Sequence, residues 1–136
     1  MFRLVKILNG RINETEPVKL KTKSGVAYEY GTALSLNAGA LVNCTATVKP
    51  LYICGEDAKA DEKTEITVYP IDPNQIFEAP ISVAPTSSVV VGAKLTLALT
   101  DGKATGVTAT PTDGVAEVFD IAGATVANDK ILVRIV

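Results

Sequence analysis

The chain contains no histidine and no tryptophan, and a single methionine. The missing histidine removes the side chain that most often serves as a general base near neutral pH, and with it the commonest zinc ligand. Aromatic residues amount to 5%, three Phe and four Tyr, so the side chains that usually anchor interfaces are scarce. The two cysteines, Cys44 and Cys54, form neither a CxxC pair nor a metal-ligand set. Both stand in apolar, strand-like sequence, where buried free thiols are expected rather than a disulfide. Neither sign of charge prevails: thirteen basic residues meet fifteen acidic ones, for a net charge of −2. Without a basic excess there is no footprint for a phosphate backbone, and nucleic acid is not an expected partner. No apolar run approaches the ~18 residues of a membrane helix, and residues 1–6 lack the apolar core of a secretory signal. No membrane partner is expected, and synthesis in a reducing cytoplasm is. The glycosylation sequons at Asn13 and Asn43 are then chance matches.

What is abundant is small and aliphatic. Apolar residues make up 47% of the 136 positions, with Val, Ala, Leu and Ile in bulk. A chain of this length suits one domain and needs neither metal nor disulfide to fold. Small side chains build a shallow core, which leaves apolar surface over for partners.

The sequence reads as β almost throughout. Residues 2–8 are apolar and basic, and Asn9-Gly10 ends them with a turn signal. In residues 18–23, Lys19, Lys21 and Lys23 alternate with Val18, Leu20 and Thr22. Such a lysine row solubilises an exposed strand and guards its edge; it also offers a grip for an acidic partner. Further strands are expected over 26–30, 31–36, 40–48, 51–54 and 65–71. Asp72-Pro73 reads as the N-cap and first residue of a helical turn reaching Phe77. After an extended joint at 81–84, strands follow over 89–91, 94–99, 104–109, 115–121 and 130–136. Short strands separated by Gly and Asp-Gly turns indicate an all-β barrel or sandwich with little helix.

The chain also repeats itself weakly. Gly31-Thr32-Ala33-Leu34-Ser35-Leu36, Thr45-Ala46-Thr47 and the strand opening at Ile66 return as Gly92-Ala93-Lys94-Leu95-Thr96-Leu97, Thr108-Ala109-Thr110 and the strand opening at Ile131. The offset grows from 61 to 63 to 65 residues, as expected of a copied strand-rich unit whose loops have drifted. The expected organisation is one compact domain over 1–136. Residues 1–30 hold N-terminal strands or a docking arm, 31–80 a first β unit and 81–136 a second.

Chemistry is hard to find in these residues. Thr86, Ser87 and Ser88 have no histidine partner, and neither a phosphate-binding glycine loop nor a nucleophile elbow occurs. Asp72 and Glu78 can be drawn as a carboxylate pair, but so can many pairs among fifteen acids. Glu56, Asp57, Asp61, Glu62 and Glu65 crowd together without the ligand order of a calcium loop, and read as a solvated loop. No catalytic residue, metal or cofactor is expected, and the chain is read as a non-enzyme.

One pattern is nonetheless familiar. The strand Gly31-Thr32-Ala33-Leu34-Ser35-Leu36, then Gly39, is followed by Thr45-Ala46-Thr47 and by the stretch from Pro50 into Glu56-Asp57-Ala58. Together with Gly106-Val107-Thr108-Ala109-Thr110 and Gly114-Val115-Ala116-Glu117-Val118, this resembles the small head decoration, or capsid cement, proteins of tailed bacteriophages and prophages. The likeness covers most of residues 18–136. It implies a structural virion protein, made in the bacterial host cytoplasm, that sits outside an assembled head and stabilises it. The implied partners are the major capsid protein and two further copies of itself in a homotrimer. It carries over no catalytic residue. Phe2, Leu4 and Leu8 would seat on the capsid if residues 1–17 form a docking arm, with Lys19, Lys21 and Lys23 as polar contacts. Equally, residues 2–8 are the first strand of the protein's own sheet. A carbohydrate- or surface-binding module of a phage appendage is the alternative function, with Tyr28, Tyr30, Tyr52 and Tyr69 to stack on sugars.

Overall fold

A computed structural model describes residues 1–8 and 16–136. The turn expected at Asn9-Gly10 and the polar stretch up to residue 15 lie outside the described residues. Among those described there are twelve strands and no helix. In chain order they are β1 (Arg3–Ile7), β2 (Val18–Lys21), β3 (Ala33–Asn37), β4 (Ala40–Asn43), β5 (Tyr52–Cys54) and β6 (Glu65–Pro70). They continue with β7 (Gln75–Pro80), β8 (Lys94–Leu95), β9 (Leu97–Thr100), β10 (Lys103–Val107), β11 (Ala116–Asp120) and β12 (Lys130–Ile135).

The strands form two antiparallel sheets. Five order as β1-β7-β12-β11-β8, and seven as β2-β6-β5-β3-β10-β9 with β4 added to β3. The all-β class therefore holds, as a sandwich rather than a closed barrel. Each sheet draws on both halves of the chain, so the two repeat-like units are interleaved and form no separate lobes. The matching segments also land in different sheets: the strand opening at Ile66 is in the larger sheet and the one opening at Ile131 in the smaller.

Packing explains the alternation. Along β3 and β5 the larger sheet is buried on both faces, so neighbouring residues enter different cores. Ala33 and Ile53 join Phe77, Leu97, Ala104, Val107 and Val133 between the sheets. Leu34 and Cys54, one position on, join Leu41, Ile66, Val68 and Tyr28 in a second cluster on the far face. An isolated bridge from Thr22 to Leu41 brings β4 back toward the end of β2, so this half of the sheet curls around the second cluster.

Several expected elements differ. The helical turn at 72–77 begins as drawn, with the Asn74 amide donating to Asp72 Oδ1 and the Gln75 amide to the Asp72 carbonyl, but β7 starts at Gln75. Pairing with β1 and β12 on its two sides outweighs the local helical signal. Residues 26–30 contribute only an isolated bridge, Tyr28 to Ala58, because Tyr28 is drawn into the curl. Residues 89–91 form no strand and lie where two turns meet, closed by hydrogen bonds from the Val89 amide to the Thr86 carbonyl and from the Ala93 amide to the Val90 carbonyl. The strand expected to run to residue 48 ends at Asn43, and the Ala46 carbonyl instead accepts from the Leu97 amide.

β12 lies in the middle of the smaller sheet, between β7 and β11. Its Ile131, Val133 and Ile135 are at most 1% exposed. Truncating such a side chain loses its transfer free energy and leaves a cavity. Ile131→Ala is expected to lower the unfolding free energy by about 2–5 kcal/mol in urea titration, and deletion of residues 130–136 to leave no soluble folded protein.

Candidate functional site: the open side of the sandwich

The two sheets differ in width, and the difference opens one side of the molecule. Register places Ile53 opposite Tyr69, Thr67 opposite Lys19, and Glu65 opposite Lys21. Tyr69, Thr67, Lys19 and Lys21 therefore share the face on which Ile53 meets the smaller sheet. That sheet ends at β1, so β6 and β2 overhang it. The recess between β1 and the overhang has a volume of about 370 Å³. Leu4 and Arg3 line it from β1 and Phe2 from just before it, Phe77 and Gln75 from β7, Ile53, Tyr69 and Pro70 from the larger sheet, and Met1, Tyr30 and Gly31 add to the lining.

Local structure fixes the rim. The Tyr30 amide donates to Asp57 Oδ1 at 2.8 Å. Gly31 follows with φ of 80°, and a Cβ there would collide with the Met1 side chain, so only glycine fits. The Gly31 amide donates to the Cys54 carbonyl, and the Gly31 carbonyl accepts from the Phe2 amide, both at 2.9 Å. The loop thus pins the start of β1 to the end of β5.

Of the tyrosines raised for sugar stacking, Tyr28 is withdrawn. It is buried, and its hydroxyl donates to the Leu41 carbonyl while accepting from the Lys23 amide, each at 2.8 Å. Tyr30 and Tyr69 are 53% and 37% exposed, and both line the recess. Tyr52 is half-buried against the second core cluster.

Residues 2–8 form a strand of the protein's own sheet. Phe2 is 3% exposed and belongs to the core, so it is not presented to a partner. Leu4 and Leu8 are exposed. They do not share a face with each other, because a β-bulge between Leu4 and Lys6 shifts the register and puts Ile7, opposite Gln75, on the Leu4 side. Lys6 turns outward and stands over the Phe119 ring, 5.8 Å from its centre. Lys19, Lys21 and Lys23 are exposed, and none is ion-paired within the described residues.

The carboxylates are committed to structure. Glu78 lies between Arg3 and Lys130, at 3.2 and 3.4 Å, and Asp72 caps its turn. In the acidic loop, Asp61 accepts from the Gly25 amide and the Ser24 hydroxyl, and Glu62 from the Lys59 amide. Glu56 pairs with Lys63 at 2.8 Å, and that hydrogen bond holds its carboxyl below the usual range. Among the described residues no group of three or more His, Cys, Asp or Glu is arranged to hold a metal ion.

The cysteines are free and buried on opposite faces of the larger sheet, Cys44 between the sheets and Cys54 in the second cluster. Burial pushes the Cys44 thiol up to about 12 and the Cys54 thiol up to about 11. The folded state thus favours the neutral thiols. This contribution to stability is complete below the ordinary value of 9.0 and is lost as pH rises through the folded values. At about pH 8 a thiol-exchange reagent is expected to label neither cysteine until denaturant is added, since both burial and a low thiolate fraction oppose attack. Rapid labelling of the native protein would contradict this placement.

No protein-family model matches the chain, and no curated protein is significantly similar to it.

Proposed function

We propose that the protein is a structural virion component that binds the outside of an assembled phage head and stabilises it without catalysis. One observation carries the reading beyond the resemblance in sequence. The exposed apolar side chains Leu4 and Val5 lie on the edge strand β1, with Leu8 just past its end, and the strand is anchored at its start by the Phe2 amide donating to the Gly31 carbonyl. Such an edge suits attachment to another protein's surface, and symmetry multiplies weak contacts into firm attachment. The partners are the major capsid protein and further copies of this chain, and the site of action is the capsid surface.

The solution mass by light scattering is the first measurement. A trimer, or a monomer turning trimeric as concentration rises, is expected. A strict monomer that also fails to co-sediment with expanded empty heads of the phage carrying its gene would overturn the proposal.

A second reading, a carbohydrate-binding module, draws support from Tyr30 and Tyr69 flanking one recess of about 370 Å³. Aromatic side chains that line one cleft offer apolar surface on which a sugar ring can stack. On this reading a glycan array gives at least one hit that is lost in both Tyr30→Ala and Tyr69→Ala. An array without hits removes it.

A further inference from the structure

Among the described residues, the overhang leaves the sandwich one strand short on its open side. β1 is the last strand of the smaller sheet, and no described strand pairs with its outer edge. Across from the place such a strand would occupy stand Tyr69, Thr67, Lys19 and Lys21, all on the face that looks toward the smaller sheet. The recess lies beneath that same place.

We propose that β1 accepts one extended, acidic segment of a partner protein as an additional strand, which completes the smaller sheet over β6 and β2. The free edge supplies backbone donors and acceptors, which select an extended chain and no particular sequence. Alternation supplies the selectivity: every second side chain of the incoming segment points into the recess or onto the overhang. Near Leu4, Ile53 and Tyr69 those side chains meet apolar surface. Farther along they meet Lys19 and Lys21, which among the described residues have one cross-strand carboxylate, Glu65, opposite Lys21. On the outer face, Lys6 adds a further positive charge, and the Arg3 charge is shared with a Glu78 that also serves Lys130. A basic strip on a chain of net charge −2 selects an acidic segment by complementarity. The same charges disfavour a second copy docking edge to edge, because β1 against β1 would bring Arg3 and Lys6 of both copies together.

The test uses the full chain and a short labelled peptide, Glu-Thr-Val-Thr-Val-Thr-Glu, whose inward positions carry two Val flanked by Glu, with its counterpart in which Lys replaces both Glu as control, at low ionic strength. Fluorescence anisotropy is expected to show the Glu peptide binding about tenfold more tightly than the Lys peptide, and hydrogen exchange to show new protection in residues 3–7. Leu4→Asp, and Lys19→Glu with Lys21→Glu, are expected to abolish the preference, while Leu36→Asp leaves it unchanged. Lys19 and Lys21 are exposed, so that pair decides the matter if Leu4→Asp does not fold. No binding of the Glu peptide, equal binding of both peptides, or protection away from β1 would overturn the proposal. It does not depend on the capsid reading. Head binding that survives Leu4→Asp removes this edge and leaves decoration standing, and peptide binding without head binding does the reverse.

Discussion

Around β3 and β5 the larger sheet buries both of its faces, and much of the rest of the molecule follows from that. With few aromatics the chain cannot fill a deep core from one side. It builds two shallower clusters instead, and β3 and β5 feed them from alternate residues: Ala33 and Ile53 into one, Leu34 and Cys54 into the other. Where both faces are covered, at 33–34 and 53–54, successive residues are all apolar. Tyr28 plugs the second cluster, and its hydroxyl satisfies the Leu41 carbonyl and the Lys23 amide at that buried point.

From this arrangement comes the asymmetry that makes a site. The part of the larger sheet that curls around its own cluster does not need the smaller sheet as cover, so β6 and β2 extend beyond β1. A strip of surface there keeps the geometry of a sandwich interior while facing solvent, with Tyr69 and two lysines on it. The recess under β1 is the structural residue of that mismatch. Its walls are set by strand pairing and by the Gly31 hydrogen bonds to Phe2 and Cys54. Binding at this edge would start from a preformed shape, which lowers the ordering cost of association.

The charged residues divide by the same geometry. Carboxylates in the acidic loop are consumed in fixing the 23–30 and 55–64 segments to each other, through Asp57 to the Tyr30 amide and Asp61 to Gly25. Glu78 is consumed between two cations on the outer face of the smaller sheet. The lysines of β2 are left without ion partners among the described residues, although acids outnumber bases in the chain. Among the described residues the overhanging face thus carries Lys19 and Lys21 against Glu65, a local balance that the net charge of −2 does not reveal.

Alternation and turn residues in the sequence were enough to determine the all-β class, most of the strands and the burial of both cysteines. These depend on neighbours in the chain, and a period of two is a local property. Where local signals lost, a distant partner had won: β7 took the place of a helical turn because β1 and β12 pair on its two sides, and Tyr28 left its strand for a core more than ten residues away at Leu41. The candidate site was legible only in fragments. Leu4 and the lysine row stood out, but the bulge that separates Leu4 from Leu8 has no sequence mark, and nothing joined Tyr30 to Tyr69. That pairing, the overhang and the free edge depend on how many strands each sheet recruits, and strand recruitment is settled by long-range pairing that no local pattern records.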